Sequence, residues 1–158
     1  DFVDLGIELK SIPINNNGRP KESTYICVVQ LDPMALASWE GSLVKCKLNH
    51  VLWVPIETDK DIPVPLRRIG TPILWQPDKE QEEQLRKDWQ ELSDMIVLGE
   101  VDKISSTMGK YLQIRPKAAD SKSLARDNNQ PLENQLTLPR GFYLRSTFTH
   151  SIISVKKQ

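Results

Sequence analysis

Cysteine and histidine are scarce in this sequence of 158 residues. The scarcity of cysteine argues against a protein stabilised by disulfides, and the scarcity of histidine argues against a histidine-dependent site. The cysteines are Cys27 and Cys46, and the histidines are His50 and His150. Because a chain that can bury its own core does not need disulfides, two thiols favour a reducing, cytoplasmic compartment. The histidines are not spaced as a metal pair or as a base beside a nucleophile, so a Ser-His-Asp hydrolase finds no support.

Long hydrophobic runs are also absent. The longest candidates, such as residues 95–98, end after about one helical turn, whereas a membrane span needs about 20 apolar residues. The sequence therefore excludes membrane insertion. With 39% hydrophobic and 27% charged residues, we expect one folded domain over residues 1–158 and no intrinsic disorder.

The formal net charge is zero, but the charges are unevenly distributed. Residues 1–100 carry 11 basic and 17 acidic side chains, a net charge of −6. Residues 101–158 carry 10 basic and 4 acidic side chains, a net charge of +6. A neutral total therefore does not exclude a polyanionic partner.

Hydrophobic periodicity predicts several strands and one long helix. Leu5, Ile7 and Leu9 alternate with Glu8 and Lys10, which indicates a first strand with the two charged residues on one face. Strands are predicted at residues 2–9, 25–29, 51–54, 111–114 and 141–145, a helix at 78–99, a short helix or loop at 39–48, a short helix at 121–126, and a polar loop at 128–135.

Turn signals separate these elements. Three asparagines at residues 15–17, followed by Gly18, predict a hairpin between the first two strands, because Asn and Gly tolerate positive φ. Pro55 is expected to end the third strand, and Gly99 to end the long helix. Strands mixed with one long helix predict an α/β or α+β sheet covered by helices.

The charged residues among the first ten positions form the most informative local pattern. A strand presents Glu8 and Lys10 together, and Asp1 can approach them from the preceding turn. Carboxylates can hold Mg²⁺, which polarises a phosphoryl oxygen and lowers the pKa of a bound water, while a lysine steadies the attacking hydroxide. This chemistry is phosphodiester hydrolysis. The alternative interpretation is ordinary charge on a solvent-facing strand, and the spacing alone favours that alternative.

Colinear blocks along nearly the whole chain are more specific than this spacing. The first block is Asp1-Phe2 with Leu5-Gly6-Ile7-Glu8-Leu9-Lys10-Ser11-Ile12-Pro13, followed by Gly18-Arg19-Pro20. The other blocks are Trp39-Glu40, Lys47-Leu48, residues 51–55, 67–70, 94–99 and 111–119, and residues 138–144. In these blocks the sequence resembles the MutH family of methyl-directed mismatch-repair endonucleases.

The resemblance implies an α/β fold of the restriction-endonuclease-like class, with a mixed β-sheet flanked by helices. It implies Mg²⁺-dependent nicking of the unmethylated strand at hemimethylated GATC sites in double-stranded DNA. Asp1 and Glu8 match the metal-binding acidic residues, assisted by the main-chain carbonyl of Leu9, and Lys10 matches the catalytic lysine. Lys47 matches a second lysine of the active site, where a cation can face the scissile phosphate. Without the resemblance, Lys47 would be interpreted as an ordinary surface lysine.

The resemblance also implies a DNA-reading surface. Arg115, Pro116 and Lys117 form a rigid turn with two cations, a chemistry suited to purine acceptors and phosphates. By similarity, Arg115, Lys117 and Tyr143 read GATC and sense adenine methylation, because a methyl on the adenine amino group adds bulk that a close-packed tyrosine can reject. Tyr25 matches a DNA-contacting aromatic residue, usually Phe, and a buried strand aromatic is an equally good interpretation.

Several residues are interpreted without a catalytic role, and two features depart from the family pattern. Cys27 and the four tryptophans are expected in the core. Cys46 stands where relatives carry His, which can alter the position of Lys47. Family members have a further segment before the catalytic Asp, with one more acidic residue. We therefore expect that an upstream segment is missing and that the chain alone binds metal weakly or is inactive.

Two other functions stay open at this point. A type II restriction endonuclease specific for GATC would share the fold and cut both strands. A non-catalytic DNA-binding module would keep the fold without the chemistry, and the retained Asp1, Glu8 and Lys10 argue against it. The resemblance implies activation by the MutL ATPase, with MutS acting upstream, and a monomeric chain; the acidic face of the helix at 78–99 is a candidate docking surface.

Overall fold

The computed structural model describes residues 1–117, 125–126, 136–137 and 139–154. In these ranges the strands are β1 (Glu8–Ile14), β2 (Thr24–Val28), β3 (Val51–Glu57), β4 (Ile73–Trp75), β5 (Leu112–Pro116), β6 (Ala125–Arg126), β7 (Leu136–Thr137) and β8 (Arg140–Leu144). The helices are α1 (Leu43–Leu48), α2 (Lys79–Val97) and α3 (Ser146–Ile153), and short 3-10 turns lie at Val3–Leu5, Pro33–Leu36, Val64–Leu66 and Val101–Lys103. None of the helices described is both long and apolar enough to cross a bilayer.

The strands form two three-stranded sheets and a small ribbon. In the first sheet the order is β1-β3-β4, with β1 parallel and β4 antiparallel to β3. In the second sheet the order is β2-β8-β5, and both pairs are antiparallel. Strands β6 and β7 pair with each other. The predicted α/β class is confirmed, with the strands divided between two small sheets.

Side chains from both sheets and from α2 bury a common apolar core. Ile12 and Trp53 of the first sheet and Phe142 of the second belong to it. The buried apolar residues of α2 recur at helical spacing, namely Leu85, Trp89, Leu92 and Ile96. This shared core holds the two sheets in a fixed relation.

The tryptophans and Cys27 lie in or against this core, as predicted. The ring centroids of Trp39 and Trp89 are 5.8 Å apart, and those of Trp53 and Trp75 are 6.0 Å apart. Burial raises the pKa of the Cys27 thiol to about 11, so this thiol stays protonated at neutral pH. Cys46 is exposed and also free.

The prediction of a strand over residues 2–9 is wrong in its first half. Val3–Leu5 form a 3-10 turn, and Gly6 follows in the left-handed region with φ 62°. Val3 and Leu5 are 84% and 68% exposed, so the apolar alternation there does not mark a buried face. The strand begins at Glu8, and its inward face carries Glu8 and Lys10 while Leu9 is exposed.

The predicted hairpin is also wrong, although its turn is present. The side chain of Asn15 accepts hydrogen bonds from the backbone N–H groups of Asn17 and Arg19, and Gly18 has φ 74°. Pairing after the turn is limited to one bridge between Ile14 and Pro20. The reason is that β1 pairs with β3 and β2 pairs with β8.

Pro55 does not end β3, which continues to Glu57. The backbone N–H of Glu57 donates to the Arg68 carbonyl, on the side of β3 that faces away from β1. Backbone groups two residues apart in a strand face the same side, so the nitrogen of Pro55 also faces away from β1. Strand β4 reaches only as far as Trp53 along that side. The missing N–H of Pro55 therefore leaves the β1 ladder intact.

The long helix is confirmed by its caps. Asp78 and Gln81 form a capping box at the start of α2, and Gly99 follows its end with φ 74°. In the segment 39–48 only the second half is helical, because Ser42 caps the first turn of α1. Residues 125–126 are a strand rather than the end of a helix, and the rest of that segment and the predicted loop at 128–135 lie outside the described residues.

The last two predicted strands are present with shifted ends, and one helix has no sequence prediction. Strands β5 and β8 cover most of the predicted segments 111–114 and 141–145. Helix α3 follows directly, and its sequence Ser-Thr-Phe-Thr-His-Ser-Ile-Ile contains few strong helix formers. Its buried Phe148 and Ile152 show that packing, not intrinsic propensity, stabilises it.

Asp88 is a buried carboxylate that no sequence pattern singles out. Its Oδ2 accepts hydrogen bonds from the backbone N–H groups of Lys110, Tyr111 and Leu112 at 3.0, 2.6 and 2.9 Å. Its Oδ1 accepts from Gln84 Nε2 at 2.8 Å. These bonds join α2 to the start of β5, the strand that carries the DNA-reading residues expected from the resemblance.

We predict that Asp88→Ala lowers the free energy of unfolding by about 2–4 kcal/mol, because three backbone donors lose their acceptor. Urea unfolding measures the loss. The matched control is Asp94→Ala, which removes an exposed carboxylate from the same helix and should cost under about 0.5 kcal/mol. Equal losses in the two variants would contradict this role of Asp88.

Candidate functional site

Glu8 is the centre of a charged cluster on β1. Its Oε1 lies 2.9 Å from Lys10 Nζ and its Oε2 lies 2.7 Å from Lys47 Nζ. Burial raises the pKa of Glu8, but the hydrogen bonds from Lys47 and Lys10 more than offset it, so the pKa lies below its usual value. Glu8 is therefore a carboxylate at neutral pH, with one ammonium on each oxygen.

Lys47 reaches this cluster from α1. Ser42 caps this helix by accepting a hydrogen bond from the backbone N–H of Lys45, and the helix leads into β3, the parallel neighbour of β1. The hydrogen bond to Glu8 raises the pKa of Lys47 despite partial burial. The side chain is therefore held as an ammonium ion.

Asp1 completes the cluster because the chain turns back before β1. Phe2 and Ile7 form a short bridge, with the turn at Val3–Leu5 between them. Asp1 Oδ1 accepts a hydrogen bond from the Leu9 backbone N–H at 3.1 Å, and Asp1 Oδ2 lies 3.6 Å from Lys47 Nζ. The four side chains Asp1, Glu8, Lys10 and Lys47 are thus brought together.

The donor chemistry of this cluster suits a hard divalent cation. Oxygens of Asp1 and Glu8 lie on either side of the Lys47 ammonium, which shows that the two carboxylates can share one cation. Within the described ranges there is no group of three or more His, Cys, Asp or Glu side chains that could hold a metal. Mg²⁺ typically needs only one or two protein carboxylates and keeps several waters, so the carboxylates of Asp1 and Glu8 fit such an ion.

A cleft of about 1040 Å³ lies beside this cluster and is lined by residues of both sheets. Leu9 and Lys10 contribute from β1, and Tyr25, Arg115 and Tyr143 contribute from β2, β5 and β8. The remaining lining residues are Ser11, Pro13, Glu22, Ser23, Thr24, Ile56, Thr58, Arg67 and Pro116. Lys10 is therefore shared by the charged cluster and the cleft.

The aromatic side of the cleft is set by strand register. Tyr25 of β2 is paired with Tyr143 of β8, and their ring centroids lie 5.3 Å apart in an edge-to-face arrangement. Lys117 Nζ lies 5.0 Å from the centroid of the Tyr25 ring. Tyr25 is partly exposed, so it is not the fully buried strand aromatic of the alternative interpretation.

Arg115, Pro116 and Lys117 are exposed at the end of β5. The backbone N–H of Lys117 donates to the Pro139 carbonyl at 2.8 Å, which holds the turn against the start of β8. Arg115 and Pro116 line the cleft directly. Four of the five residues expected to contact DNA therefore line one side of the same cleft, namely Tyr25, Arg115, Pro116 and Tyr143. Lys117 lies beside them, against the Tyr25 ring.

Arg67 and Glu22 line the cleft but are not among the predicted site residues. Arg67 lies within a block that resembles the family, which is the one signal that could have found it. Its Nε donates to the Ile62 carbonyl at 3.2 Å. The neighbouring Arg68 instead pairs with Glu57 at 2.7 Å, so the two arginines have different surroundings.

Gly141 has a packing role that its sequence pattern does not specify. A Cβ at this position would lie 2.8 Å from Tyr25 Cε2 and 3.0 Å from Tyr143 Cε2. These distances are too short for a side chain, so the glycine leaves the space into which both rings pack. The signal that could have indicated this packing role is a glycine at the first position of the predicted strand 141–145.

We predict that Gly141→Ala displaces both tyrosine rings and costs about 1–3 kcal/mol of unfolding free energy through overpacking. NMR spectra of the tyrosine ring protons and thermal unfolding measure the two effects. Gly41→Ala is the control, because its Cβ would meet only Ser38 Oγ, at 3.4 Å. Unchanged signals of Tyr25 and Tyr143 in the Gly141 variant would show that the rings do not depend on this glycine.

Comparison with known proteins identifies the family of the chain. The family model described as DNA mismatch repair enzyme MutH matches residues 1–88. The DNA mismatch repair proteins MutH of Shigella flexneri and of Escherichia coli strain K12 / DH10B are each 50% identical over 154 residues, covering 98% of this chain and 67% of the relative. The chain therefore belongs to the MutH family of DNA mismatch repair enzymes, whose restriction-endonuclease-like class is consistent with the mixed α/β architecture.

Proposed function

We propose that this protein is a Mg²⁺-dependent endonuclease that nicks the unmethylated strand at hemimethylated GATC sites in double-stranded DNA. The observation that carries the proposal is the position of Lys10. It contacts Glu8 and also lines the cleft that contains Tyr25, Arg115 and Tyr143. A phosphodiester in this cleft would meet hydrolytic groups on one side and base-reading groups on the other.

The proposed chemistry uses Asp1, Glu8 and the Leu9 carbonyl to hold Mg²⁺. When bound there, the ion would polarise a phosphoryl oxygen and lower the pKa of a coordinated water. Lys10 lies where its ammonium can orient that water and stabilise the charge that develops on the phosphate. Lys47 supplies a second cation on the same side, and both lysines offset the extra negative charge of the transition state.

The proposed recognition uses the exposed turn at Arg115, Pro116 and Lys117. Arg115 offers a planar donor pair for guanine acceptors, and Lys117 offers a charge for phosphate or a purine acceptor. Tyr143 is packed edge-to-face on Tyr25, so its ring is not free to move away from an added methyl group. That rigidity supports discrimination between adenine and N6-methyladenine.

We propose that the protein acts in mismatch repair in the cytoplasm as a monomer, recruited and activated by the MutL ATPase after MutS. The family membership and the names of the relatives as DNA mismatch repair proteins support the pathway. The zero net charge also supports dependence on a partner, because a protein without net positive charge has weak non-specific attraction to DNA.

We predict that Glu8→Gln lowers Mg²⁺-dependent nicking of a hemimethylated GATC duplex by at least about 100-fold, because the shared metal carboxylate is lost. Gel-based cleavage measures the nicking, and duplex binding in Ca²⁺ should survive. Glu40→Gln is the control, since Glu40 pairs with Lys45 on the surface of α1.

Three outcomes would contradict this assignment. Nicking by Glu8→Gln at the wild-type rate would place the chemistry elsewhere. A protein extended by the expected upstream segment that binds GATC selectively but does not nick it would favour a non-catalytic DNA-binding module. Cutting of both unmethylated strands without a partner would favour a restriction endonuclease.

We further predict that Arg115→Ala weakens binding to a GATC duplex by about 1–3 kcal/mol while binding to an unrelated duplex changes little. Fluorescence anisotropy on the two duplexes measures the difference. Arg86→Ala is the control, because Arg86 is exposed on α2 and does not line the cleft. A uniform loss on both duplexes would mean that Arg115 contacts only the phosphate backbone.

A further inference from the structure

Lys47 occupies the space between the two carboxylates of the charged cluster. Its Nζ lies 2.7 Å from Glu8 Oε2 and 3.6 Å from Asp1 Oδ2. The other carboxylate oxygens point elsewhere, because Glu8 Oε1 binds Lys10 and Asp1 Oδ1 accepts the Leu9 N–H. The oxygens that face each other across Lys47 are thus the ones available to a shared cation.

The cluster is electrically balanced in this arrangement. Two carboxylates and two ammonium ions sum to zero charge, so a divalent cation added without any other change would meet two positive charges at close range. Repulsion between such charges is strong in a partly buried site. One lysine must therefore withdraw before the carboxylates can hold a metal ion.

Lys47 is better placed to withdraw than Lys10. The Lys47 side chain is 36% exposed, whereas that of Lys10 is 15% exposed. Lys10 lies in the interior of β1 and also approaches the Ile26 carbonyl at 3.5 Å. In the described part of the chain, the contacts of the Lys47 ammonium are those with Asp1 and Glu8, so it can leave without breaking any other bond.

We infer that Lys47 holds the metal position between Asp1 and Glu8 in the metal-free protein and leaves it when a divalent cation binds. This inference rests on the proposed function of the site. The released ammonium then gains a new partner when a DNA phosphate enters the cleft. Metal and DNA binding are thereby coupled, since a phosphate that takes up Lys47 removes the competitor of the metal.

The test is a comparison of metal affinity without DNA. Mn²⁺ binding, measured by electron paramagnetic resonance of the free ion, and Mg²⁺ binding, measured by calorimetry, should be about two- to fivefold tighter in Lys47→Gln than in the wild-type chain, the gain expected from removing one competing ion pair. Lys45→Gln is the matched control, because Lys45 lies on the same helix but pairs with Glu40 and Glu82. Its metal affinity should equal that of the wild type.

A second measurement separates displacement from a general change in charge. In the wild-type chain, NMR of the lysine ε-methylene groups should show a change in the Lys47 signal as Mg²⁺ is added, because the Lys47 ammonium leaves its ion pairs with Asp1 and Glu8. The Lys45 signal should stay unchanged. Unaltered Lys47 signals during metal binding would overturn the inference. So would equal or weaker affinity in folded Lys47→Gln, or metal binding too weak to detect in both proteins.

The outcome is independent of the cleavage assay. If Lys47→Gln binds metal more tightly but the wild type does not nick GATC duplexes even when extended by the expected upstream segment, the displacement stands and the proposed function fails. If the wild type nicks DNA and the variant binds metal no better, the function stands and the displacement is wrong.

Discussion

The parallel pairing of β1 with β3 is the constraint on which the rest of the molecule depends. It joins Glu8–Ile14 to Val51–Glu57 in continuous register, and Ile12 and Trp53 bury its inner face. The Glu8 N–H also donates to the His50 carbonyl at 2.9 Å, directly after α1. Because α1 leads into β3, the same pairing that aligns the strands brings Lys47 of α1 to Glu8 of β1. A register shift of one residue would turn Glu8 and Lys10 together to the opposite face of β1, away from Lys47.

The second sheet carries the residues that we propose to read DNA. Its register pairs Tyr25 with Tyr143, and Arg115 with Gly141. The hydrolytic and base-reading groups thus belong to separate ladders, connected by a common core and by the cleft between them. Because the two sheets are joined by the core, core packing sets the distance between the proposed hydrolytic residues and the proposed base-reading residues. Loss of core packing would therefore affect both functions together.

Local patterns predict α2 well, because its capping box, apolar spacing and terminal Gly99 all lie within the helix itself. They predict the start of β1 poorly. A period of two does not tell which face is buried, and here the charged face of Glu8 and Lys10 turns inward because ion pairs compensate its burial. Lys47 lies 39 residues from Glu8 in sequence, so only a family resemblance, and no spacing rule, could place it in the site before the fold was known.

The charged cluster at the proposed site has zero net charge, as the whole chain does. The negative excess of residues 1–100 includes Asp1 and Glu8, but each of these carboxylates is already paired with a lysine. Lys10 and Lys47, the two cations beside the proposed metal site, are consequently engaged with these carboxylates. In the proposed mechanism, binding of a divalent ion reverses this state, since the ion would take over the carboxylates and free an ammonium toward the cleft. Affinity for DNA would then rise at the proposed site of hydrolysis rather than over the whole surface, and non-specific binding would stay weak.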